Sequence, residues 1–338
     1  MRQIDYILSE TNYPKDKIRL VKCVAAHNEE GWIEYNLRNC YDEWDVIRIV
    51  EGAVEGRPGS THDGHSTDKT IELIKNFPDP ANKIEFIQLD RPFKSLEEQK
   101  QVFLDSSRDG DWIFIVDCDE FYMDGDIEKL RQYIYKRPLA SELMVTFLHF
   151  YRDFKHVRDF GPEWVCSHQR ILRWRPGLRY HTHPVATQAD GVCTYFHPQI
   201  QQFRYVTPIF IYHYGHAKGV KFHEMKREFY ESELKRFPAG EGKSAADAFD
   251  EKLKEFVGFT EDLNTVLEFD GNHPSSLKEH PAYKDICDFY TKEDVAAKIK
   301  HWKKSPYYSL HPNLPTIPQW MLNWPWASAR MAPVYNPA

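Results

Sequence analysis

The sequence has no run of about 18 apolar residues, so nothing in it reads as a membrane-spanning helix. Its opening, MRQIDYILSETNYPKD, holds no apolar stretch of signal-peptide length. The six cysteines, at 23, 40, 118, 166, 193 and 287, form no CxxC pair, which predicts reduced thiols and a cytoplasmic setting. Positive charge is not in excess. Lys and Arg number 44 against 51 Asp and Glu, a net −7, which is not the profile of a general nucleic-acid binder. Neither GxxxxGK[ST] nor GxGxxG after a strand occurs, so the P-loop and the dinucleotide fingerprint are both excluded. Internal repeats and low-complexity tracts are missing too.

What is present is a globular composition, 41% hydrophobic and 28% charged, over 338 residues. Up to Val116 the periodicity alternates. Ile18–Ala26, Val46–Val50, Ile84–Leu89 and Trp112–Val116 read as buried strands. Between them, Ile33/Leu37/Tyr41 and Ile71/Ile74/Phe77 fall at helical spacing, the second helix capped near Ser66 or Thr67. Ser95-Leu-Glu-Glu98 opens a third helix as a capping box. Such alternation predicts a mainly parallel, doubly wound sheet. Further strands are expected at Leu143–Phe150, Gln169–Trp174 and Ile209–Tyr214. Helical spacing returns with Phe222/Met225/Phe229, Phe249/Leu253/Phe256 and Val295/Ile299/Trp302, ahead of a tail rich in proline and tryptophan. Two regions follow: 1–220, and a helical extension over 221–338.

In open parallel sheets, ligands bind at the carboxyl ends of the strands. Here those ends carry His27-Asn28-Glu29-Glu30, Glu51, Asp90 and Asp117-Cys118-Asp119-Glu120. A sheet built for stability alone needs no such set, although helix caps account for one or two members. Asp117 and Asp119, an Asp-x-Asp pair ending a buried strand, are hard oxygen ligands suited to Mg²⁺ or Mn²⁺. A metal would let an acid-lined site accept a nucleoside diphosphate.

In these residues the chain resembles the GT-A nucleotide-sugar glycosyltransferases, close to family 2. Ala25-Ala26-His27-Asn28-Glu29-Glu30 resembles the opening P-x-Y-N-E-E, and Glu51 with Asp63–Thr70 resembles D-D-G-S-T-D-G-T. Gly110-Asp111-Trp112 through Glu120 resembles G-D-W-I-L-x-L-D-x-D-E, and His213-Tyr214-Gly215 resembles a later H-Y-G element. The resemblance implies a Rossmann-like GT-A catalytic domain and a hexosyl- or pentosyltransferase. Its donor would be a nucleoside diphosphate sugar, a UDP-sugar first among them, and its acceptor a hydroxyl. It implies that Ala26, Asn28, Glu30, Glu51 and Asp68 bind the nucleotide, and that Asp117 and Asp119 with His213 hold Mn²⁺ or Mg²⁺.

The chain departs from the family in three places. Glu51 replaces an aspartate, Gly52–His62 intervene before the Asp63 stretch, and Pro184 stands where the family carries a glutamate. The general base therefore falls to another group, with Asp153, Glu163 and His183 as candidates. Arg173, Lys218 and Lys221 are candidate diphosphate contacts or a solvated charged face. His181, His183, His197, His213 and His216 also suggest a cupin-like metal centre, but the α/β first half disfavours it. A sugar-phosphate nucleotidyltransferase and a non-catalytic carbohydrate-binding protein are the alternatives.

Overall fold

The computed structural model describes residues 18–57, 59–137, 140–151, 153–158, 167–176, 178–182, 186–189, 192–193, 203–217, 266–283 and 300–301. The first half runs β1 (Arg19–Ala26), α1 (Ile33–Arg38), β2 (Val46–Glu51), α2 (Thr70–Lys75), β3 (Ile84–Gln88), α3 (Leu96–Asp105), β4 (Asp111–Ile115), β5 (Glu120–Phe121) and α4 (Asp126–Tyr135). Then come β6 (Ala140–Tyr151), β7 (His156–Arg158) and β8 (Ser167–Arg173). A three-stranded sheet of β9 (Leu178–Thr182), β10 (Ala186–Ala189) and β11 (Val192–Cys193) follows, and after it β12 (Phe203–His216), β13 (Val266–Glu268) and β14 (Lys300–His301).

Strands β3, β2, β1 and β4 are neighbours and parallel. Strand β8 runs antiparallel to both β4 and β6, so β6 points the same way as β4, and β12 lies parallel to β6. The carboxyl ends of β1, β2, β3, β4, β6 and β12 therefore share one edge of the sheet, and the reversed β8 begins there. Along β1, Leu20, Val24 and Ala26 pack with Ile33 and Leu37 of α1, Ile74 of α2 and Ile127, Leu130 and Ile134 of α4. Val21 and Cys23 point the other way, to Phe103 and Leu104 of α3. Helices cover both faces, and each fully buried Leu or Ile contributes about 1.5–3 kcal/mol. This is the mainly parallel, doubly wound, Rossmann-like α/β sheet expected of the GT-A fold.

Local signals explain most boundaries. The Ser95 hydroxyl accepts from the Glu98 N–H at 3.2 Å, as the capping box requires. Helix α2 begins at Thr70, later than its expected cap. The Ser66 hydroxyl is committed to Glu51 and Asn28, so Asp68 Oδ1 accepts from the Thr70 N–H instead, at 2.9 Å. Helix α1 is shorter than its periodicity predicts. Beyond Arg38 the chain passes through Cys40 in the left-handed region (φ 54°) into a single 3₁₀ turn, Tyr41–Glu43.

Of the C-terminal extension, the described residues are two short strands and two 3₁₀ turns. The helices expected around 222–229 and 249–256 lie outside the described residues. Val295, Ile299 and Trp302, expected at helical spacing, also lie outside the described residues; between them Lys300–His301 pair in parallel with β13. Strand β13 pairs with β7, and His273 lies against Phe150, Phe154 and Tyr214.

The Tyr214 hydroxyl and His273 Nδ1 share a hydrogen bond at 2.7 Å, and burial lowers the His273 pKa from 6.5 to about 4. Between these values the unfolded chain binds the proton that the folded one refuses, so stability falls as pH drops through that window. Allowing for water at the ring's exposed side, the contribution is about 2 kcal/mol. Urea unfolding at pH 7 and pH 4.5 should show a smaller acid loss in His273→Asn than in the parent chain. Equal losses would remove His273 as the cause.

Candidate active site

Two clusters stand at the carboxyl edge. The first joins the loop after β1 to the loop before α2. Asn28 adopts φ 54°, with its Oδ1 accepting from the Thr67 N–H (2.8 Å) and its own N–H donating to Ser66 Oγ (2.9 Å). The Glu29 N–H reaches Thr70 Oγ1 at 2.6 Å, the Glu30 N–H reaches Asp68 Oδ2 at 3.0 Å, and the Lys69 N–H returns to Glu30 Oε2 at 3.2 Å.

Beneath them Glu51 is fully buried. One of its oxygens accepts from the Ser66 N–H (2.8 Å) and hydroxyl (2.7 Å), the other from Gln88 Nε2 (2.9 Å), with His65 Nδ1 at 3.3 Å. Ala26 is buried beside it, paired in register. The predicted nucleotide-binding residues Ala26, Asn28, Glu30, Glu51 and Asp68 are thus brought together. Glu51 is the loop's internal anchor, and an open cleft of about 280 Å³ lies over that loop, lined by Thr61, His62, Asp63, His65, Ser66 and Thr67.

The second cluster is the acidic turn after β4. Helix α1 holds its backbone. The buried Asn36 donates through Nδ2 to the carbonyls of Asp117 (3.2 Å), Cys118 (3.3 Å) and Glu120 (3.1 Å), and Lys22 Nζ donates to the Asn36 carbonyl. One turn on, Asn39 exchanges two bonds with the backbone of Tyr122. Burial pulls the Lys22 pKa down to about 7.

The turn's side chains separate by role. The Asp117 carboxylate lies between two buried cations, Lys100 Nζ at 3.4 Å and Arg170 Nη2 at 3.1 Å. Arg170 also donates to the fully buried Glu120 at 2.6 Å. Burial pushes the Glu120 pKa up to about 8; Arg170 opposes the rise while Asp117 and Asp119 add to it. Burial also weighs against the Arg170 cation, but Glu120 and Asp117 outweigh it and raise its pKa.

Asp119 turns away from these cations to His213 on β12, with Oδ1 3.7 Å from Nε2. The meeting is set by backbone pairing, since β5 and β12 are antiparallel with Glu120 opposite His213, and the Tyr214 N–H donates to the Asp119 carbonyl at 2.9 Å. Gly215 keeps the space between them open. A Cβ there would sit 2.5 Å from His213 Nε2 and 2.9 Å from Asp119 Oδ2.

That gap suits a divalent cation. Carboxylate and imidazole donors 3.7 Å apart can both bind one ion, and Mg²⁺ and Mn²⁺ ordinarily take one or two protein ligands plus phosphate and water oxygens. Among the described residues no three His, Cys, Asp or Glu side chains gather at metal-binding spacing, and Asp119 and His213 are the two that border this gap. Asp117, expected beside Asp119 as a ligand, directs its carboxylate to Lys100 and Arg170.

Of the candidate bases, the buried Asp153 is spent on His156 Nδ1 (2.8 and 2.9 Å) and the Lys155 N–H in the turn between β6 and β7. Glu163 and His183 lie outside the described residues, as do Lys218 and Lys221. Arg173 pairs through its backbone with Trp112, in the interior of the sheet. His216 is buried, its ring 5.5 Å from that of His213. The roles of Asn36, Lys100, Arg170 and His149 were not anticipated. A polar residue on an otherwise apolar face was their only sign.

No protein-family model matches the chain, and neither does any curated protein. Among solved structures it is similar to S. aureus TarS 1–349, at 14% identity and TM-score 0.34, over 72% of this chain and 73% of that one. It is also similar to 4-diphosphocytidyl-2C-methyl-D-erythritol synthase from Anaerococcus prevotii, at 11% identity and TM-score 0.26, over 72% and 84% of the two chains. No helix among the described residues is long and apolar enough to cross a membrane.

Proposed function

We propose that the chain is a glycosyltransferase that moves a hexosyl or pentosyl group from a nucleoside diphosphate sugar to a hydroxyl acceptor. The observation that carries this reading is the open Asp119–His213 gap beside a carboxylate held by Lys100 and Arg170, at the carboxyl edge of a parallel sheet. The nucleoside would lie over the Asn28–Glu51 cluster. Strands β2 and β4 flank β1, so their ends are about 10 Å apart, room for a nucleoside at one cluster and its diphosphate at the other.

Asp119 and His213 would hold Mn²⁺ or Mg²⁺, which when bound supplies positive charge against the departing diphosphate. Lys100 and Arg170 hold the Asp117 carboxylate beside that position. In the reaction the anomeric C–O bond to the diphosphate breaks, a bond to the acceptor oxygen forms, and a base takes the acceptor proton, with Glu163 and His183 as candidates. A nucleotidyltransferase is disfavoured because the loop after β1, His27–Glu30, carries no lysine or arginine for a triphosphate.

The test is thermal unfolding with UDP, GDP, CDP, their sugars and the matching triphosphates, each with Mn²⁺ or with EDTA. A ligand at 100 times its Kd stabilises by about 2.7 kcal/mol. One diphosphate series should raise the melting temperature with Mn²⁺ only, and Asp119→Ala should abolish the rise while folding normally. A triphosphate-only response would favour the nucleotidyltransferase, and no response to any nucleotide would sink the proposal.

A further inference from the structure

Resting on the cation reading above, we infer that His149 is a positioning residue that sets the tautomer of His213. The two lie opposite each other in the β6–β12 register, with Nδ1 to Nδ1 distance 2.8 Å. The His149 ring is stacked on the buried Phe147 (5.3 Å, 12°), and the His213 ring stands nearly perpendicular to both. A flip of either ring about Cβ–Cγ would keep this packing but put Cδ2 in place of Nδ1, so the Nδ1–Nδ1 hydrogen bond is what selects the orientation.

A nitrogen–nitrogen hydrogen bond holds one proton, so one ring donates and the other accepts. For His213 Nε2 to offer a lone pair into the gap beside Asp119, the His213 proton must sit on Nδ1. His149 Nδ1 must then accept it, with its own proton on Nε2. Without His149 the hydrogen bond that favours the Nδ1–H form is gone. The proton would move to Nε2, facing Asp119 and blocking the gap. Partners of this kind orient metal-ligating histidines and typically account for 10–100-fold in metal affinity. His149 thus does for His213 what the backbone pairing does for Asp119: it fixes which atom faces the gap.

The experiment titrates the full chain with Mn²⁺ alone, by electron paramagnetic resonance, in the parent and in His149→Leu, His149→Asn, Asp119→Ala and His213→Ala. Leucine fills a similar volume without an acceptor, whereas the asparagine oxygen stands near the original Nδ1. The expected result is 10–100-fold weaker Mn²⁺ binding in His149→Leu and recovery to within a few-fold of the parent in His149→Asn.

Unchanged affinity in His149→Leu, with Asp119→Ala and His213→Ala deficient, would overturn the role of His149 and leave the cation site standing. Unchanged affinity in all four would remove the cation site and this inference with it. Should His149→Leu fail to fold, long-range proton–nitrogen spectra of the parent with Mg²⁺ decide the matter. A His213 proton on Nδ1 supports the assignment, and one on Nε2 overturns it.

Discussion

Replacing Arg170 with methionine is expected to lower the unfolding free energy by about 3–5 kcal/mol at pH 8 and above, where Glu120 ionises in the parent chain and the change strands a buried carboxylate. Glu120 is fully buried, and among the described residues Arg170 is the cation within salt-bridge distance of it. Without that partner Glu120 must stay charged in an apolar setting or take up a proton. Protonation is the cheaper course at low pH, which gives the effect a pH signature. A carboxyl whose folded pKa is raised contributes stability below its unfolded value near 4.5 and loses it as pH rises through the folded value. The deficit of Arg170→Met should therefore be larger at pH 8 than at pH 5. Adding Glu120→Gln to the variant should recover most of it, since the buried charge is then gone from both sides. Urea titrations of the parent, the single and the double variant measure all of this. A single variant within about 1 kcal/mol of the parent would show that the Arg170–Glu120 pair contributes little.

Asn36→Ala is expected to cost about 3 kcal/mol, and Asn36→Asp more. One side-chain amide serves three carbonyls of the acidic turn, two of them at fully buried contacts. An unsatisfied buried acceptor costs about 1–3 kcal/mol. Alanine leaves space for water to repair part of that loss. Aspartate has asparagine's shape, yet it turns a donor into a charged acceptor aimed at three oxygens. The loss should extend to the site, because this clamp sets where the Asp119 carboxylate points. Mn²⁺ affinity should fall in Asn36→Ala well beyond its fall in a core variant of equal stability loss. Equal affinities in the two would mean that β12 alone holds the turn.

Short-range signals made the first half of the fold legible. Four apolar runs bounded by polar residues became β1 to β4, and Ser95 capped α3. Helix α4 was not assigned, although Ile127, Leu130 and Ile134 carry its spacing. Strands β6 and β12 are longer than their apolar cores suggest, because polar residues such as Glu142, Thr207 and His216 are buried within them. That these two strands run parallel is a long-range fact with no local mark. In the site, the residue types at the strand ends were readable. Their division of labour was not, since Lys100 and Arg170 claim Asp117 from α3 and β8. A lysine among Leu96, Phe103 and Leu104, or an asparagine between Ile33 and Leu37, marks a position where patterning is broken. What it binds is decided by distant chain.

The alternation along β12 ties the chemistry to strand register. Tyr214 faces Phe150 and the aromatic core, while His213, its neighbour, faces Phe147 and His149. A slip of one residue would exchange these faces and put a tyrosine ring where the imidazole stands. Of the three irregularities in the β6–β12 ladder, those between Val206 and Phe210 and between His213 and His216 bracket the strand's interior and resist such sliding. Errors in chain alignment during folding would thus yield a paired sheet with the imidazole turned away from Asp119, and aromatic packing on the opposite face opposes that misalignment.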